Sequence, residues 1–75
     1  MKTIFIKMGN ITDISTFVAN ASKIEKDVTV YKGRYVVNGK SLLGMFSIDL
    51  TSGATVEFPE DEIDFENFLN TFKAE

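Results

Sequence analysis

Cysteine and histidine are both absent from this 75-residue chain. Without them, disulfide staples are excluded and the usual zinc sites lose their ligands, so no metal is expected; no cofactor of any other kind is expected either. The missing cysteine also fits a reducing cytoplasm. No stretch approaches the roughly 20 apolar residues of a membrane span. Met1-Lys2-Thr3 leads only into a short apolar-rich run, too brief for a signal-peptide core, with no small-residue cleavage site behind it. A basic stripe is lacking as well. The lysines and Arg34 are scattered, the net charge is −3, and acidic residues gather at Glu57, Glu60, Asp61, Glu62, Asp64 and Glu66. Binding to nucleic acid regardless of sequence needs such a stripe, to release counterions. The composition therefore predicts a soluble cytoplasmic protein with no nucleic acid and no membrane among its partners.

What remains is one small domain, residues 1–75. A chain this short buries roughly 60% of the surface its unfolded form exposes, so its stability rests on a compact apolar core. The 44% hydrophobic content can supply that core, and the seven phenylalanines carry much of it.

Periodicity divides the chain into seven elements. Residues 2–8, KTIFIKM, alternate polar and apolar as a strand, with Ile4 and Ile6 on one face. After GNITD, the spacing of Ile14, Phe17, Val18, Ala21 and Ile24 predicts a helix from about Asp13 to Glu25, with Thr12 as its cap. Val28, Val30 and Tyr35 to Val37 flank Lys32-Gly33-Arg34 as a β-hairpin, Gly33 supplying a positive φ. KSLLGMFSIDL then reads as a short helix capped by Ser41, TSG as a turn, and ATVEF as a strand stopped by Pro59. The last segment starts near Glu60 or Asp61 and shows Phe65, Phe68, Leu69 and Phe72 at helical spacing, with Lys73 in its last turn. The predicted class is α+β: a β-α-β-β-α-β-α open-faced sandwich, an antiparallel sheet of four strands covered by three helices.

Intrinsic catalysis has little to work with. A serine hydroxyl needs a base to become a nucleophile at neutral pH, and the best base, histidine, is missing. The carboxylates of PEDEIDFE crowd a helix start, where they act as solvated charge that favours the dipole. Gly9, Gly33 and Gly53 lie in separate turns, and none belongs to a phosphate-cradling loop. The protein is not expected to be an enzyme.

The segment VNGKSLLGMFSIDL, residues 37–50, carries a sharper signal. Val37, Asn38, Lys40, Ser41, Leu42, Leu43, Gly44, Met45, Phe46, Ser47 and Ile48 resemble the regulatory-site region of HPr. That protein is the histidine-containing phosphocarrier of the bacterial sugar phosphotransferase system. Upstream, NASKIEKDVTV resembles the end of the family's first helix and its second strand in an ungapped register. The resemblance implies the same β-α-β-β-α-β-α fold. In that register Asn10 falls at the position of the phosphocarrier histidine, Thr12 at an arginine and Asp13 at a proline. Asn10 cannot form a phosphoramidate, Thr12 cannot clamp phosphate as arginine does, and Asp13 adds negative charge. The resemblance thus implies a family member without the carrier histidine. An aspartyl-phosphate on Asp13 is the remaining route to transfer.

Ser41 resembles the serine that a dedicated kinase phosphorylates in many relatives, and as a plain helix cap it needs no further role. The positions of Leu42, Leu43 and Phe46 match an apolar patch that docks partner proteins in relatives. So short a helix on a sheet buries only one side, so some of Leu42, Leu43, Met45 and Phe46 stay exposed. Lys40, with Lys23, can assist by pairing with acidic partners. Two functions follow. One is a regulatory or protein-binding module acting through the Ser41 helix, with phosphotransferase-system or regulatory proteins as partners. The other is a small structural or assembly domain in which Ser41 is only a cap.

Overall fold

The computed structural model describes residues 1–74. Seven elements follow one another: β1 (Lys2–Ile6), α1 (Ile11–Ala21), β2 (Thr29–Lys32), β3 (Tyr35–Asn38), α2 (Leu42–Phe46), β4 (Ala54–Phe58) and α3 (Ile63–Asn70). The four strands form one antiparallel sheet in the order β1-β4-β2-β3. This is the predicted open-faced α+β sandwich.

Strand alternation decides which side of the sheet the helices cover. Ile4, Ile6, Val30, Val56 and Phe58 point inward and are buried, whereas Phe5, Tyr31 and Val36 lie on the open side. The register places Phe5, Thr55, Tyr31 and Val36 in one row across that open side. Under the helices the core is built around rings. Phe65 meets Phe17 and Phe58 edge-on at 5.4 and 5.7 Å, and Phe68 meets Phe72 at 5.4 Å. T-shaped pairs of this kind contribute roughly 0.5–1.5 kcal/mol beyond their buried area.

Several boundaries differ from the sequence expectation. Helix α1 begins at Ile11, and its cap is Asn10 rather than Thr12, whose N–H donates to Asn10 Oδ1 at 2.7 Å. It ends at Ala21, not Glu25. Ile24 is still buried, because a turn closed by its N–H donating to the Ala21 carbonyl carries it back to the core. Helix α3 opens at Ile63 and closes at Asn70, so Lys73 lies outside its last turn. The chain beyond α3 returns to the sheet. Lys7 N–H donates to the Phe72 carbonyl at 3.1 Å, Ala74 N–H donates to the Phe5 carbonyl at 2.9 Å, and Lys73 bridges Ile6 in antiparallel sense.

Two glycines are forced by geometry. Gly33 adopts φ 58° in the β2–β3 turn, as expected of a tight hairpin. Gly53 adopts φ 103° beneath the Phe5 ring, and a Cβ there would come within 2.2 Å of Phe5 Cζ.

Candidate functional site

The residues singled out by sequence fall at the start of α1, just past its end at Lys23, and along α2 with its entrance, and these two helices pack against each other. Between β3 and α2 the backbone must reverse within three residues, and Asn38 makes this possible. Its Oδ1 accepts from Lys40 N–H at 2.9 Å, and its carbonyl accepts from Ser41 N–H at 2.9 Å. Asparagine favours such turns because its side chain imitates the backbone. Gly39 crosses close to Val28 and Phe17 within the same reversal, its N–H donating to the Val28 carbonyl at 2.7 Å.

Ser41 is the N-cap of α2. With φ −100° and ψ 114° it lies in the extended region, and its Oγ accepts from Gly44 N–H at 3.0 Å. Gly44 is disfavoured by helix propensity, and the structure supplies its reason. A Cβ at Gly44 would stand 3.2 Å from Ser41 Oγ, so the missing side chain keeps that hydroxyl uncrowded. At the far end of α2, Ser47 Oγ donates to the Gly44 carbonyl at 2.6 Å.

A single residue anchors this short helix to the core. Met45 is fully buried, while Leu42, Leu43 and Phe46 remain 45%, 85% and 42% exposed. Three large apolar side chains therefore stand together in water on one turn and a half of helix. Lys40 is half-buried, and its ammonium donates to the Ile24 carbonyl and, at 3.4 Å, to that of Glu25. It straps the entrance of α2 to the loop that follows α1. Lys23 lines a cleft with Asn20, Ile24, Glu62 and Asp64.

Asn10 opens α1 at the surface, with its side-chain oxygen committed to the cap. Thr12 and Asp13 follow within the first turn, and Thr16 Oγ donates back to the Thr12 carbonyl at 2.9 Å. Ile11, exposed beside Asn10, escaped the sequence expectation because it lies outside the buried stripe. After α2, Asp49 accepts from Thr51 through both the hydroxyl and the backbone N–H, and these bonds hold its carboxyl below the ordinary carboxylate value. On the open side of the sheet, the hydrogen bond from Tyr31 OH to Glu57, a carboxylate, raises the phenol above its ordinary value. Among the described residues no group of three or more acidic, histidine or cysteine side chains is placed to hold a metal ion. None of the described helices is long and apolar enough to cross a membrane.

The profile of the family described as the PTS HPr component phosphorylation site matches residues 13–74, a span that begins just after Asn10. No curated protein shows significant sequence similarity to the chain. Among solved structures, HPr-C-His from Thermoanaerobacter tengcongensis superposes with a TM-score of 0.75 at 26% identity, over 95% of this chain and 89% of that one. The phosphocarrier protein HPr from Bacillus anthracis str. Ames superposes with a TM-score of 0.68 at 24% identity, over 96% of this chain and 94% of that one, a likeness of fold. With the profile spanning most of its length and the fold shared over 95% of it, the chain belongs to the HPr family of the phosphotransferase system.

Proposed function

We propose that this HPr-family protein is a cytoplasmic regulatory module that binds partner proteins through the Ser41 helix and does not itself carry phosphoryl groups. The observation that carries this reading is the exposure of Leu42, Leu43 and Phe46 around a helix that Met45 alone anchors. Apolar side chains grouped in water and rimmed by polar residues are the usual mark of an interaction surface. The partners are proteins of the phosphotransferase system or regulators that read its state. Residues 1–75 act as one domain, without catalytic residue, metal or cofactor.

The case against phosphotransfer rests on the chemistry of the side chains. The chain has no histidine, and the amide of Asn10 is not a nucleophile. Its oxygen is already the cap acceptor for Thr12 N–H. Control falls instead to Ser41, a half-buried residue whose hydroxyl faces a glycine. A phosphate there adds about −1.5 to −2 charges at the border of the apolar patch, enough to change which partner fits. A second reading, a small assembly domain with Ser41 as a cap only, draws on one observation. The bond from Gly44 N–H accounts for the serine without further function.

Intact mass after incubation with ATP and an HPr kinase tests the proposal, with Ser41→Ala and a reaction with enzyme I and phosphoenolpyruvate run alongside. One phosphate from the kinase, lost in Ser41→Ala, with none from phosphoenolpyruvate, is the expected result. Label from phosphoenolpyruvate would overturn the loss of carrier function. Hydroxylamine sensitivity of that label, together with its loss in Asp13→Asn, would place it on Asp13. No phosphate in any reaction would leave Ser41 a cap and favour the assembly domain.

A further inference from the structure

Strand β1 is an edge strand, and an edge strand presents backbone groups that can pair with another chain. The carbonyl of Phe5 in β1 and the N–H of Lys7, just past its end, face away from β4, because they meet the returning chain at Ala74 and Phe72. Thr3, two residues before Phe5, faces the same way by strand alternation. Among the described residues, 72–74 cover this edge and have no sheet neighbour on their other side. The ring of Phe72 against Phe68 holds them in place.

Exposed, the edge would be self-complementary. Two β1 strands paired antiparallel about Phe5 place Thr3 opposite Lys7 and Ile4 opposite Ile6. The two isoleucines continue the buried row, the two Phe5 rings meet on the open side, and no like charges face each other. We propose that residues 72–74 are an autoinhibitory strap: they occupy the β1 edge and prevent a second copy of this chain from joining its own β1 there. Release of the strap would create a two-fold dimer with one continuous eight-stranded sheet. This proposal is independent of the Ser41 helix and of any phosphorylation.

Sedimentation velocity over a range of concentrations tests it, with far-UV circular dichroism as the control for folding. The intact chain is expected to keep the mass of one copy, and a chain ending at Thr71 to double its mass as concentration rises. Thr3→Pro in the shortened chain removes an outward N–H without touching the β4 ladder, and is expected to restore the single copy. If the shortened chain fails to fold, Phe72→Ser combined with Ala74→Pro in the full chain decides instead, because the pair removes the ring that seats the strap on Phe68 and the donor to Phe5. A folded variant that stays single would overturn the proposal. So would a dimer that survives Thr3→Pro, or an intact chain that already pairs to the same extent.

Discussion

Replacing Met45 and Leu43 by alanine, one at a time, separates the anchor of α2 from its exposed patch. Full burial of a leucine side chain stabilises by roughly 1.5–3 kcal/mol. Leu43 is 85% exposed. Leu43→Ala therefore loses only about 0.2–0.5 kcal/mol of burial. Met45 has no exposed surface, and emptying such a site costs about 2–5 kcal/mol once the cavity is included. Against a total stability of about 4–11 kcal/mol for a domain of this length, that is a large fraction. One kcal/mol moves the melting temperature of so small a domain by about 4–8 °C. Met45→Ala is thus expected to melt at least about 8 °C lower, and Leu43→Ala within about 4 °C of the parent. Thermal melts followed by circular dichroism and by the two tyrosines measure both. If Leu43→Ala proves as costly as Met45→Ala, Leu43 holds the fold together and the patch is not free to dock. If Met45→Ala is nearly silent, α2 is held by something other than its one buried side chain.

Asn10→Ala is expected to cost about 1 kcal/mol through loss of the α1 cap, and Asn10→Ser to recover most of it; thermal melts of the pair check this. Asp49 contributes stability that is present above the ordinary carboxylate value of about 3.9 and lost as pH falls through its lower folded value. The stability gap between the parent and Asp49→Asn should therefore shrink towards acid; urea midpoints across pH measure it, and a gap that widens would contradict the Thr51 bonds. Gly53→Ala is expected to be more damaging than Gly33→Ala, because Gly53 combines a positive φ with the Phe5 ring overhead, whereas Gly33 faces open space. Equal melting temperatures for the two variants would contradict that difference.

The order of the seven elements was legible in the sequence because most bury a regular face, while β3, with no buried residue, was marked by the turn at Gly33 and α2 by its Ser41 cap. The ends were not, and the reasons are specific. Ile11 and Thr12 begin α1 from exposed positions, so the buried stripe starts a turn late, at Ile14. Asn10 and Thr12 are both good caps by chemistry, and only the backbone shows which side chain stands in front of the free N–H groups. Ile24 and Phe72 continue the apolar spacing beyond the true ends of α1 and α3, because each packs on the core from a turn. The pairing of residues 72–74 with β1 leaves no periodic trace, since three residues are too few to show one. At the candidate site, the sequence indicated that not all of Leu42, Leu43, Met45 and Phe46 could be buried. That Met45 alone is buried depends on how α2 lies against its neighbours. The strap of Lys40 across the α1 loop likewise depends on tertiary geometry.

The pairing of β1 with β4 has a consequence for how the protein comes into being. Ile6 finds its partner at Ala54, and Lys2 finds its partner at Phe58. At a synthesis rate of about 5–20 residues per second, β1 is made some 3–10 s before β4. Meanwhile the β2–β3 hairpin can close by itself, from residues adjacent in the chain. The first strand made is thus among the last to be seated, and Ile4, Phe5 and Ile6 wait unpaired while most of the molecule is still being built.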